Sequence, residues 1–212
     1  MLTDRENDIY WEEYFLPSSR VLKNNLGIKN VDELKVAEAS ISFDRLVELQ
    51  DNPLDLGCGK KHLLALHKYI FEDIYPFAGQ YRKVNLTKKK GGFLFFERQE
   101  DIDNYLNELF DSVEEKLENC RSLFDYSELL ANLYTKLIYC HPFREGNGRT
   151  IREFLREFSI EKSKDKDFGC VELDWRNINK DELDEFVEVA HLFPGATSII
   201  FNKALIPKGK TK

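Results

Sequence analysis

The stretch from Leu129 to Arg152 constrains this chain most, because it can only be a helix, a forced break and a second helix. Leu129-Leu130-Ala131-Asn132-Leu133-Tyr134-Thr135-Lys136-Leu137-Ile138 is an apolar helical run. Pro142 cannot continue it, since proline lacks the backbone donor and clashes with the preceding turn. Gly146-Asn147-Gly148 keeps the connection free of side chains. A helix restarting near Asn147 then aims unpaired backbone N–H groups into the turn, which makes an anion site. At about 100° per residue, Arg149, Arg152 and Arg156 share one face of that helix. Ile151, Phe154, Leu155 and Phe158 fall on the opposite face, where a core belongs. The three arginines are therefore expected to be displayed away from the core, at the end nearest the turn.

Within this stretch, residues 141–152 carry the parts needed to hold a nucleotide polyphosphate and activate a nucleophile beside it. His141 has an ordinary pKa near 6.5, suited to taking a proton from a hydroxyl at neutral pH. Glu145 can hold a Mg²⁺ that bridges phosphates. Arg149 and Arg152 can make paired contacts with phosphate oxygens, and Phe143 reads as an anchor that pins the loop into the core. Taken singly, a histidine is more often structural than catalytic, and an arginine-rich helix face is usually just solvated. The contiguous constellation is what points to function.

A length of 212 residues suits one domain with a short extension. The net charge of −7, from 31 Lys+Arg against 38 Asp+Glu, argues against nucleic acid as a partner, which needs a basic footprint. No apolar run approaches the ~20 residues of a membrane span. Met1-Leu2-Thr3-Asp4-Arg5-Glu6 does not resemble a signal peptide. The cysteines Cys58, Cys120, Cys140 and Cys170 lie far apart without a C-x-x-C pair and read as reduced thiols. The expectation is a cytoplasmic protein.

Residues 1–30 form a lead-in segment with aromatics at Tyr10, Trp11, Tyr14 and Phe15. Helices are expected at 31–50 and at about 61–74, separated by a turn-rich connector at 51–57. Arg82-Lys83-Val84-Asn85-Leu86 alternates as a strand does, and Phe93-Leu94-Phe95-Phe96 has strong β propensity. Thr87-Lys88-Lys89-Lys90-Gly91-Gly92 between them reads as the reversal of a β-hairpin over 81–96, its lysines a solvated turn. Further helices are expected at about 99–119, 125–140, 147–163, 180–190 and 195–206. The fold class is mainly α, a helical bundle with one β-hairpin. His62 and His67, five apart on a helix, are badly spaced to share a metal and read as structural. His191 has no catalytic context, and 207–212, with Lys208, Lys210 and Lys212, reads as a flexible tail.

The run 141–152 resembles the signature of the Fic family, H-P-F-x-[DE]-G-N-G-R-x-x-R, and matches it at all nine specified positions. A random chain of this length would do so on the order of once in 10⁹. The stretch His67-x-x-Ile70-Phe71-x-Asp73-Ile74-Tyr75-x-Phe77-Ala78-Gly79-x-Tyr81-Arg82, the hairpin and Leu173-Asp174-Trp175 are similar to the family as well, so the resemblance covers about residues 10–206. It implies a Fic domain over 31–206 that acts as a protein adenylyltransferase, moving AMP from ATP to a Tyr, Thr or Ser hydroxyl of a target protein. By the same resemblance, His141 is the base and Glu145 binds Mg²⁺. Gly146, Asn147 and Gly148 form the anion nest, and Arg149 and Arg152 hold the phosphate tail. The hairpin docks the target as an added strand, and Trp175 and Asn177 lie near the adenine.

The relative Doc, a kinase, has lysine where this chain has Gly148, so the glycine favours AMP transfer over phosphate transfer. Transfer from another donor, phosphotransfer, and a non-catalytic nucleotide-binding module remain the alternatives. Many Fic proteins also carry an inhibitory helix, [ST]-x-x-x-E-[GN]. No Ser or Thr here has Glu four residues later, and the nearest approximation is Ser40 with Asp44, followed by Arg45. The resemblance thus implies a bacterial toxin held by a separate small antitoxin that carries this helix. Residues 14–28 resemble the lead-in of that class.

Overall fold

The computed structural model describes residues 4–90, 92–189 and 196–208. Its helices are α1 (Asp4–Glu12), α2 (Val31–Asp51), α3 (Lys60–Phe71), α4 (Ile102–Asn119), α5 (Leu123–Cys140), α6 (Asn147–Ser163), α7 (Lys180–Val189) and α8 (Ala196–Ala204). Strands β1 (Thr87–Lys90) and β2 (Gly92–Phe95) form one antiparallel pair, and β3 (Val171–Leu173) and β4 (Leu205–Pro207) form another. Gly91, His191, Lys210 and Lys212 lie outside the described residues.

Local chemistry starts the helices where the sequence places them. Asn30 accepts from the backbone N–H groups of Asp32 and Glu33 at the head of α2. Ser122 and Asp125 cap each other reciprocally at the head of α5. Each such cap contributes about 1 kcal/mol. α5 is the central rod, packed against α4, α6 and α8, while α6 also meets α3. Leu130, Leu133 and Leu137 of α5 and Ile151, Phe154, Leu155 and Phe158 of α6 are fully buried, as the helical phase requires.

The structure corrects three expectations. First, the hairpin is shorter and lies nearer its tip. Thr87–Lys90, read as part of the reversal, is strand β1, in register Thr87↔Phe95 to Lys90↔Gly92. Arg82–Leu86 pairs with no strand among the described residues. Its alternation is real but has another cause: Arg82 and Val84 are buried as plugs into the bundle, while Lys83 is exposed. Second, β3 and β4 add a strand pair that the sequence did not signal. The Ser159 and Ser163 hydroxyls of α6 accept from the N–H groups of Leu173 and Val171, at 2.8 and 2.9 Å, and so anchor β3. Third, Arg156 is not displayed but buried. Its guanidinium pairs with Glu153 and Glu172 and donates to the Leu49 carbonyl of α2 at 3.2 Å. Helical phase placed it beside the other arginines but could not see the carboxylates that draw it inward.

Past α8, the Lys208 N–H donates to the Cys170 carbonyl at 3.0 Å, extending the tie between the β3 and β4 segments. The four cysteines are all free.

Candidate active site

α5 ends at His141, whose backbone is left-handed at φ 46°, an uncommon conformation for a residue with a side chain. Pro142 follows, and the chain turns. The His141 Nδ1 lies 3.3 Å from the Ile138 carbonyl. A carbonyl can only accept, so in this contact Nδ1 is the protonated, donating nitrogen. Phe96 stacks on the imidazole, centroids 4.1 Å apart and 26° between planes. The ring is thus held from its own helix and from the foot of the hairpin.

Arg82 locks this corner. Its guanidinium donates to the carbonyls of His141 at 2.7 Å, Val84 at 2.7 Å, Cys140 at 3.2 Å and Glu97. Both feet of the hairpin and the end of α5 therefore share one side chain. Arg82 N–H also donates to the Pro142 carbonyl at 2.8 Å.

The loop between His141 and α6 is closed by Asn147, whose amide accepts from Phe143 N–H at 2.9 Å and donates to the Phe143 carbonyl at 2.7 Å. Phe143 is fully buried and stacks on His67 of α3 at 3.8 Å and 7°, which makes it the anchor expected. His67 accepts from Gly79 N–H through Nδ1 at 2.7 Å and donates through Nε2 to the Glu145 carbonyl at 3.0 Å. Burial pulls its pKa down to about 4, so it stays neutral and keeps the tautomer that both bonds need. His67 is structural, as expected, but what it holds is the motif loop.

Two glycines of the loop differ in what they answer to. Gly146 sits at φ 79°, and a Cβ there would overlap the Phe71 ring of α3, so the fold itself demands glycine. At Gly148 the three nearest atoms a Cβ would meet all belong to the Arg152 guanidinium, the nearest being Nη1 at 3.4 Å, the flexible end of a side chain. The fold does not need glycine at 148. Gly148 lies in the first turn of α6, where backbone N–H groups lack intrahelical partners.

The charged residues divide in the same way. Arg144 lies over Trp11 at 4.2 Å, with Tyr14 and Phe15 at 5.5 Å, and its Nη1 is 3.7 Å from Glu145. Burial lowers its pKa despite the Glu145 charge. Burial first, and then the Glu38 carboxylate, raises the pKa of Glu145, while Arg144 and Arg149 pull it down. Arg149 is clamped: Nη2 pairs with Glu38, Nη1 donates to Ser42 Oγ at 2.8 Å, and Phe71 lies 4.8 Å beneath it. Arg152 makes no ion pair or side-chain hydrogen bond among the described residues; its carbonyl accepts from Trp175 Nε1 at 2.8 Å.

Mg²⁺ fits this arrangement. Glu145 is a hard oxygen donor, partly exposed at 43%, in surroundings where a cation would relieve its crowding with Glu38. Among the described residues no group of three or more His, Cys, Asp or Glu could cage a metal alone.

Sequence reasoning missed Glu38, Arg82, Phe96 and the aromatic box around Arg144. Glu38 could have been found. It occupies the core-facing phase of α2 with Leu34 and Leu49, one turn from Ser42, and a carboxylate in an apolar stripe asks for a partner. Ser40 and Asp44, the nearest approximation to an inhibitory motif, are both exposed.

A family model of the Fic/DOC family matches residues 54–159, half of the chain. The chain is similar to "Protein adenylyltransferase VbhT" of Bartonella schoenbuchensis, 28% identical over 174 residues, which cover 81% of this chain and 34% of that protein. It therefore spans about a third of the length of that relative. "Probable protein adenylyltransferase Fic" of Escherichia coli is 25% identical over 207 residues, covering 95% of this chain and 96% of that one. Among solved structures, BepC of Bartonella tribocorum with bound AMPPNP superposes with a TM-score of 0.79 at 21% identity, over 93% of this chain and 98% of that chain, which shows a shared fold. With half of its length matched by the family model and the signature spanning the α5–α6 loop and the first turns of α6, this chain belongs to the Fic/DOC family.

Proposed function

We propose that this chain is a protein adenylyltransferase that moves AMP from ATP to a Tyr, Thr or Ser hydroxyl of a target protein. The observation that carries the reading is Gly148, a glycine the fold does not require, at the head of a helix whose first N–H groups lack intrahelical partners. Relatives named adenylyltransferases, and solved Fic domains holding AMPPNP or ADP, support it.

In this reading the Nε2 of His141 takes the proton of the target hydroxyl. The hydroxyl oxygen bonds to the α-phosphorus, the bond from that phosphorus to the bridging oxygen breaks, and pyrophosphate leaves with its electron pair. Gly146, Asn147 and Gly148 shape the nest for the phosphates, and Arg149 and Arg152 take the tail. Glu145 holds Mg²⁺, which when bound neutralises phosphate charge. Strands β1 and β2 receive a target segment as a third strand. Incubation with α-labelled or γ-labelled ATP and a cell lysate tests the reading. Label transferred from the α position supports it, and label transferred only from γ replaces it with phosphotransfer.

The finer reading is a toxin controlled in trans by a small antitoxin with an S/T-x-x-x-E-G/N helix whose glutamate reaches Arg152. Two observations support it: Arg152 lacks a carboxylate partner among the described residues, and α2 exposes Val36, Phe43 and Val47 on the side opposite its core-facing residues. Such a stripe suits a partner helix. No described helix is long and apolar enough to cross a membrane.

A further inference from the structure

Arg149 and Arg152 lie one turn apart on α6, and the sequence treats them alike, yet the fold treats them differently. Arg152 is left without a side-chain partner among the described residues. Arg149 is fixed on two sides before any nucleotide arrives. On one, Glu38 accepts from Nη2 and Ser42 from Nη1; on the other, the Phe71 ring lies against the guanidinium. Glu38 is itself held, because the Tyr75 hydroxyl donates to its second carboxylate oxygen. α2, α3 and the segment after α3 therefore converge on a single guanidinium of α6.

A carboxylate is an odd neighbour for a polyphosphate. On charge alone, Glu38 should repel the donor and cancel part of the attraction that Arg149 supplies. Its two oxygens accept from donors of the chain itself, one from the Arg149 guanidinium and the other from the Tyr75 hydroxyl. What it can supply is geometry. Two of the five guanidinium N–H groups are committed to α2, which leaves three in a fixed orientation for a phosphate. A long, otherwise mobile side chain is thus ordered in advance, and binding the donor need not order it.

We propose that Glu38 is a positioning residue of the donor site, acting through Arg149, with Tyr75 holding it in place. The proposal rests on the adenylyltransferase reading. It assigns the two arginines different tasks: Arg149 is the preset contact, and Arg152 is the contact that the tail of the nucleotide, or a partner's carboxylate, orders on arrival.

The test is Glu38→Gln in the full chain, read by calorimetry with ATP·Mg²⁺ and by transfer kinetics. Loss of a negative charge beside a polyphosphate would by itself tighten ATP binding, so a weakening isolates the geometric role. The expected result is ATP binding weakened roughly tenfold and kcat/KM for ATP lowered to match, with KM for the target unchanged. In an Arg149→Lys background the same change should add little, because the group it positions is gone. Tyr75→Phe, which removes only the hydroxyl, should show a smaller loss of about threefold, and it carries the test if Glu38→Gln does not fold. Tighter ATP binding and faster transfer in Glu38→Gln would overturn the proposal and make Glu38 a competitor of the phosphate. Unchanged binding would also overturn it. A wild-type chain that binds no ATP·Mg²⁺ would sink the adenylyltransferase reading, and this proposal with it.

Discussion

Phe96 lies flat against His141, 4.1 Å between centroids, and it is the residue that directly follows β2. The element proposed to receive the target and the group proposed to take its proton are therefore in contact. Phe96→Ala should free the imidazole and lower transfer to the target by about tenfold, which is about 1.4 kcal/mol in the barrier. ATP affinity, measured by calorimetry, should stay at the wild-type value. Loss of ATP binding in this variant would show that Phe96 supports the whole loop and not the base.

His141→Ala should abolish transfer, a loss of at least about 10²-fold, with ATP binding little changed, because the base acts on the acceptor and not on the donor. Glu145→Ala should do the opposite, weakening donor binding only where Mg²⁺ is present. Calorimetry with and without Mg²⁺ separates the two. Wild-type Mg²⁺ dependence in Glu145→Ala would leave the carboxylate a structural role only.

The loop glycines should fail in different assays. Gly146→Ala combines a positive φ with overlap of Phe71 and should destabilise the chain by roughly 2–4 kcal/mol in denaturant unfolding. Gly148→Ala should fold with wild-type stability, yet bind ATP at least about tenfold more weakly because the methyl group enters the nest. Equal stability losses in both would mean that 148 is a packing position too.

How far the sequence was legible shows in α6. The buried phase of Ile151, Phe154, Leu155 and Phe158 was readable because a helix repeats every 3.6 residues, whatever surrounds it. The fate of Arg156 was not, since it depends on Glu172 in β3 and on the Leu49 carbonyl of α2, which only the tertiary fold brings near. The alternation at Arg82 and Val84 likewise reported burial truthfully, but burial in a bundle and burial in a sheet look the same over five residues. The candidate site residues of 141–152 could be named from the sequence because they are contiguous. Glu38, 107 residues before Glu145, belongs to the same cluster only through folding.

His67 sets a pH dependence of stability. Its ordinary pKa of 6.5 falls to about 4 in the folded chain, so between these values the unfolded chain takes up a proton that the folded chain refuses. Stability from this group is complete above pH 6.5 and is lost as the pH falls toward 4, on the order of 3 kcal/mol in all. Unfolding midpoints followed from pH 7 to 4.5 should decline less steeply in His67→Gln than in the wild type. Parallel slopes would assign the decline to other groups.

Expressed without a partner, the chain should arrest growth, and His141→Ala should not. Co-expression of a small protein bearing the S/T-x-x-x-E-G/N helix should restore growth. Phe43→Glu, on the exposed stripe of α2, should abolish that rescue while leaving transfer intact. A wild-type chain that is harmless alone, and becomes active once residues 1–30 are removed, would place the inhibition inside the chain.

The paired part of the hairpin is four residues on each strand, from Thr87↔Phe95 to Lys90↔Gly92, and Arg82 ties down everything below it. At about 3.4 Å per residue, a segment laid along either edge engages the hairpin over only some 13 Å. Backbone pairing of that length carries almost no sequence information, and alternate side chains leave about two positions to be read. Under the proposed docking mode, so short a dock could align a hydroxyl but not choose one protein among thousands. The choice would then fall to surfaces farther from His141, so swapping the hairpin between relatives should alter how fast a target is modified more than which target it is.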